Sequence, residues 1–113
     1  RKRLFSLNME STAGPDGFTN KFFMSNWDIL QEDLVNVVRD FFGQASLPYG
    51  IKSNFISLIP KKENAIDIKD FHPVAIGNTI PKIIRKILLS RLGEIVQHYI
   101  TPNQYGFVPR RCI

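Results

Sequence analysis

Two short apolar runs, Phe55–Ile59 and Phe71–Ile76, lie between two longer segments whose apolar residues recur every three or four positions. This order constrains the fold more than any other feature of the chain. Pro60 ends the first run and Pro73 sits inside the second. Runs this short, bounded by breakers, read as strands and not as helices. Proline lacks the donor that a central strand needs, so Pro73 suits an edge or a strand start. The charged stretch 61–70 then becomes a long connection, and the two runs are expected to pair as an antiparallel hairpin.

The flanking segments follow a helical period. Phe23, Trp27, Leu30, Leu34, Val37 or Val38, and Phe41 form one stripe, which predicts a helix over residues 19–42, with Gly43 as its stop. Ile83, Ile84, Ile87, Leu88, Leu92, Ile95, Val96 and Tyr99 form a second stripe, interrupted by Gly93. Asn78 or Thr79 is placed to cap that helix, with Pro81 in its first turn. Turns are expected at Pro15-Asp16-Gly17 and at Leu47-Pro48-Tyr49-Gly50. The expected architecture is therefore α/β (α+β), with two long helices and a short antiparallel β-hairpin. Residues 1–10 read as a basic lead-in, and residues 11–113 as one domain.

Composition narrows the partner. Fifteen Lys and Arg against ten Asp and Glu leave a net charge of +5, which favours a polyanion such as nucleic acid or an acidic membrane surface. A plainly solvated basic surface is the other reading. No apolar run reaches the roughly 18 residues that span a bilayer. The apolar helix faces are needed for a core, so no membrane partner is expected. Cys112 is the one cysteine, which excludes an internal disulfide and a cysteine-based zinc site, and an intracellular setting, nuclear or cytoplasmic, is expected. His72 and His98 have no cysteine or carboxylate at ligand spacing, so no metal is expected on this segment. The chain begins with Arg and is read as a segment of a longer frame.

Two places could meet phosphate. Leu58-Ile59-Pro60-Lys61-Lys62 ends a strand on two ammonium groups, which bind phosphate as point charges. Lys82, Arg85 and Lys86 are three and four apart, so they share one side of the second helix. In isolation the first is equally a charged loop, and the second an ordinary amphipathic helix.

The ordered set of blocks is more specific than any one of them. Gly14-Pro15-Asp16-Gly17-Phe18 comes first, then Phe22-Phe23 with Trp27, and Leu47-Pro48 with Gly50. Leu58–Lys62 with Asn64 and Asp70-Phe71-His72-Pro73-Val74-Ala75-Ile76-Gly77-Asn78 follow. Lys82–Leu88 with Arg91-Leu92, and Gln104-Tyr105-Gly106-Phe107-Val108 with Arg111, complete the series. From about Ser11 onward the chain resembles the first blocks of the reverse transcriptase domain in non-LTR retrotransposons of the plant long interspersed element type. Group II intron enzymes share the scheme more distantly.

That resemblance implies the fingers subdomain of a right-hand polymerase, with the start of the palm. It implies an N-terminal part of an RNA-directed DNA polymerase, a nucleotidyltransferase with RNA template, DNA primer and deoxynucleoside triphosphate as partners. The family holds magnesium on palm aspartates in later blocks. No Tyr-X-Asp-Asp sequence occurs here, so no catalytic residue and no cofactor are assigned to this segment, and it is expected to be inactive alone. By resemblance, Lys61, Lys62 and His72 face the triphosphate. Lys82, Arg85, Lys86 and Arg111 are the candidates for nucleic-acid backbone contact. His72 stands where the family has arginine, Pro81 where an aromatic is common, and Arg110 where glycine is common; these departures suggest a decayed copy. A neutral imidazole does not replace a permanently charged guanidinium. The alternative is a non-catalytic nucleic-acid-binding module derived from a retroelement.

Overall fold

The computed structural model of the protein describes residues 1–101, 103 and 104. Its elements run α1 (Lys2–Phe5), α2 (Asn20–Ser25), α3 (Trp27–Gln44), β1 (Asn54–Pro60), β2 (Phe71–Gly77) and α4 (Thr79–Tyr99). Short 3-10 turns cover Tyr49–Lys52 and Ile68–Asp70. The mixed α/β architecture with two long helices and one antiparallel hairpin is the expected one.

The first long helix is not continuous. It breaks at Asn26, whose backbone has φ −106° and ψ 24°. The Asn26 side chain donates to the Phe22 carbonyl at 2.8 Å, as does its own N–H at 3.1 Å. An asparagine that bonds the preceding turn in this way competes with helix propagation. Its carbonyl then accepts from Ile29 and Leu30, which starts α3. Thr19 caps α2 by accepting from the Phe22 N–H at 3.1 Å.

The end of α3 also differs from expectation. Gly43 lies inside the helix, and the stop is Ala45, in the left-handed region at φ 53° and ψ 28°. Its N–H closes on the Phe41 carbonyl at 2.7 Å. The chain takes the geometry that glycine favours and carries a Cβ there at a cost of about 1 kcal/mol.

The hairpin pairs Asn54 with Gly77 through to Pro60 with Phe71. One further bond, from the Lys61 N–H to the Asp70 carbonyl at 2.8 Å, extends the ladder. Antiparallel pairs alternate between bonded and non-bonded, so Leu58–Pro73 falls in the non-bonded class. The missing Pro73 donor therefore faces the outer edge of β2 and the ladder loses nothing.

Leu4, Phe23, Met24, Leu34 and Ile83 form the buried core, with Trp27, Leu30, Val38, Ile80 and Ile87 packed on it. The hairpin stands apart from this core. Phe55, Ile56, Leu58 and Ile59 are each about half exposed or more. A lone two-stranded hairpin is marginal in water, so its root must be fixed by something else.

Asn78 fixes it. The residue occupies the N-cap position of α4, yet its side chain makes no cap bond. It is 1% exposed. Its carboxamide oxygen accepts from the Asp16 N–H at 3.2 Å, and its amide donates to Gly50 and Ile51 carbonyls at 3.2 and 3.1 Å. One side chain thus joins the Pro-Asp-Gly turn, the turn before β1, and the junction of β2 with α4. Gly14 packs so closely that a Cβ would lie 2.5 Å from the Asn78 nitrogen and 2.6 Å from the Gly77 carbonyl carbon. Beside it, Thr79 donates to Asn20 Oδ1 at 2.9 Å, and Asn20 donates to the Asn8 carbonyl at 2.7 Å.

Two stability measurements follow from these positions. Asn78→Ala removes three bonds that each contribute about 1 kcal/mol, so urea unfolding should report a loss of about 2–4 kcal/mol; a loss under about 0.5 kcal/mol contradicts the clamp. Ala45→Gly relieves the left-handed cap and should raise stability by about 0.5–1 kcal/mol, against which any destabilisation would count.

Candidate functional site

Lys62 and His72, the residues expected to meet the triphosphate with Lys61, are ten positions apart in sequence and lie at one end of the hairpin. Pro60 pairs with Phe71, and Ile59 with His72. Side chains two apart on a strand share a face, and so do directly opposed partners. Lys61 therefore lies on the face that carries Ile59 and His72. No hydrogen bond joins Lys61 to His72 among the described residues, and both are exposed to solvent.

The connection is tied by its own polar groups. Lys61 Nζ donates to the Lys69 carbonyl at 2.9 Å. Lys62 Nζ lies 2.9 Å from Asp70 Oδ1. Asp70 also accepts from the Ile66 and Asp67 N–H groups at 3.5 and 3.4 Å, and Asp67 and Asp70 form a reciprocal capping box around the short 3-10 turn. Asn64 takes a left-handed φ of 57°, which asparagine tolerates better than most residues. The Lys69–Asp67 pair at 3.4 Å is well exposed at both ends and contributes little.

Asp70 is thus the hub of the loop, a role that sequence reasoning left unassigned. The Asp67-Ile68-Lys69-Asp70 spacing, with carboxylates three apart, was the signal available for it. Lys62 beside it, and then the two backbone N–H groups, hold its carboxyl below the usual range against some opposing desolvation.

Charge is distributed unevenly. Between residues 61 and 70, Lys61, Lys62 and Lys69 are matched by Glu63, Asp67 and Asp70, so the tip is formally neutral. From Phe71 through Gly93 there is no acidic residue, while Lys82, Arg85, Lys86 and Arg91 all fall on α4. Attraction for a polyanion is therefore stronger along α4 than at the tip.

The α4 cations are not equivalent. Lys82 is half-buried, with Nζ 3.4 Å from Ser11 Oγ and 3.3 Å from the Thr12 carbonyl, so it staples the loop before α2 to the helix. Arg85 is exposed and its Nε donates to the Pro81 carbonyl at 3.3 Å. Its guanidinium lies against the end of β2, where a Cβ on Gly77 would come within 3.3 Å of Nη2. Lys86 is half-buried one turn from Lys82. Arg91 stands 5.0 Å over the Phe42 ring and ties α4 to α3, a structural contact. Arg111, with the block from Tyr105 to Val108, lies outside the described residues.

No group of three or more His, Cys, Asp or Glu that could hold a metal occurs among the described residues. No helix among them is long and apolar enough to cross a membrane.

No family model matches the chain. It is similar, at 36% identity over 102 residues, to a Xenopus laevis protein described as the transposon TX1 uncharacterized 149 kDa protein. The aligned part is 90% of this chain but 8% of that relative, so the chain spans less than a tenth of the length of the protein it matches.

The loop geometry has a pH signature. A depressed Asp70 pKa in the folded chain means its contacts are intact above the ordinary aspartate value of 3.8 and are lost as pH falls through the lower, folded value. The Ile66 and Asp67 amide resonances should titrate below that ordinary value, and Lys62→Ala should move their midpoint upward. A wild-type midpoint at or above the ordinary value contradicts the assignment.

Proposed function

From the retroelement origin that this similarity supports, we propose that the chain is the fingers-side part of an RNA-directed DNA polymerase. In this reading the hairpin end, with Lys61, Lys62 and His72, receives the triphosphate of the incoming deoxynucleotide. Arg85 and Lys86 on α4, with Lys82 and Arg111, run along the backbone of the RNA template and DNA primer. The observation that carries the reading is the hairpin register. It brings Lys61 and Lys62, at the end of the Leu58–Lys62 block, beside Asp70 and His72, at the start of the Asp70–Asn78 block, at the free end of a rooted element. The order of the blocks and the transposon relative support it independently.

The chemistry is positioning and charge. Nucleotidyl transfer accumulates negative charge on the triphosphate, and cations fixed nearby stabilise it. Lys61 is held by a neutral carbonyl, so its charge is uncompensated by its partner. Lys62 is paired with Asp70 and must exchange that partner before it meets phosphate. The described residues do not fit a magnesium site, because no cluster of ligands occurs among them. The metal chemistry of such a polymerase would rest on carboxylates elsewhere in the complete protein.

The neutral tip and the stretch of α4 free of acids up to Gly93 favour a second reading, a nucleic-acid-binding module without catalysis. Binding separates both readings from an inert fragment. In duplex titrations, log K should fall with log salt at a slope of about −2 to −3, as two or three phosphate contacts require. Arg85→Glu with Lys86→Glu should flatten that slope by about two. No binding at low salt contradicts both readings. Nucleotide use separates the two. In a complete, polymerase-active protein carrying this segment, Lys61→Ala should raise the KM for deoxynucleoside triphosphate several-fold; unchanged KM and kcat would remove Lys61 from the triphosphate.

A further inference from the structure

A groove of about 450 Å³ opens between α1, α3 and α4. Trp27, Val38 and Ile83 contribute to its apolar floor, and Arg1 and Lys2 stand on its rim with Arg3. Its lining holds three cations and no carboxylate. Neither Lys61, His72, Arg85 nor Lys86 belongs to it, so it is separate from the phosphate site.

The volume is that of a ligand pocket, and the floor favours apolar side chains over water. Two of the rim cations have neutral partners. Arg3 reaches the Ser90 hydroxyl, and the Arg1 guanidinium sits 5.6 Å over the Phe5 ring. A phosphate backbone would satisfy this rim but leave the floor unfilled. Trp27 is the one aromatic residue in the lining, so successive bases would find a single stacking platform there. An amphipathic helix with apolar residues at i, i+3 or i+4 and i+7, flanked by glutamates, fills the floor and neutralises the rim together.

We propose that this groove docks the apolar face of an acidic amphipathic helix from a partner protein. The groove contains its own reporter, because Trp27 is the one tryptophan of the chain. The probe is a synthetic helical peptide with leucines at that spacing and glutamates on both flanks, titrated into the full chain. A saturable blue shift of tryptophan emission is expected. Arg1→Glu with Lys2→Glu should weaken it at least tenfold. Val35→Glu should do the same without disturbing the core, because Val35 lines the groove yet is 45% exposed; far-ultraviolet circular dichroism checks the fold of both variants. The same peptide with lysine flanks should not bind, a control that needs no variant. The proposal is overturned by no saturable shift with the glutamate peptide, or by an equal response to the lysine peptide. It is also overturned if an RNA dodecamer displaces the peptide, or if dodecanoate binds and the peptide does not.

Discussion

The arrangement of this protein depends on one buried carboxamide. Asn78 holds three separate segments through three hydrogen bonds, and it does so at the junction where the sheet becomes a helix. The side chain at the N-cap position of α4 is spent on long-range order instead of a cap bond. The reason is topological. The hairpin brings almost no buried apolar surface to the body, so its orientation rests on polar contacts at its root. Gly14 and Gly77 allow those contacts by letting backbone and side chains approach where a Cβ would collide.

That anchoring gives the charge pattern its meaning. A flexible hairpin would carry its lysines anywhere; a rooted one keeps its far end in a fixed relation to α4. The tip is formally neutral and its lysines are engaged within the loop, whereas α4 is free of acids until Glu94. Long-range attraction for a polyanion is therefore stronger along the helix, and the tip holds local donors whose present partners are a carbonyl and Asp70. The exposed strand faces are also intelligible in these terms. Under the proposed reading a larger polymerase would cover them, and the transposon relative is many times longer than this segment.

Much of the fold was legible in the sequence because it rests on period and on breakers. The hairpin came from two short apolar runs and their prolines, and the helices from three-and-four spacing. Two boundaries were not legible. The break at Asn26 depends on one side chain choosing a backbone carbonyl, and the apolar stripe runs through it unchanged. The stop at Ala45 uses a conformation that sequence assigns to glycine, so Gly43 drew the expectation. At the site, the placement of Lys61 on the face that carries His72 was foreseeable from strand alternation once the register was known. The diversion of Lys82 to Ser11 and Thr12 was not, because it needs a contact some seventy residues away. Asp70 was overlooked because a carboxylate in a charged loop looks like solvent-facing surface until its contacts with Lys62, Ile66 and Asp67 are seen.

The account stands or falls on whether phosphate meets the hairpin end and α4. Amide and side-chain resonances of the chain, mapped during titration with an RNA–DNA hybrid and then with deoxynucleoside triphosphate, test this directly. The hybrid should perturb Arg85 and Lys86 first, and the triphosphate should perturb Lys61, Lys62 and His72. Perturbations confined to other surfaces, or none at saturating ligand, would contradict it.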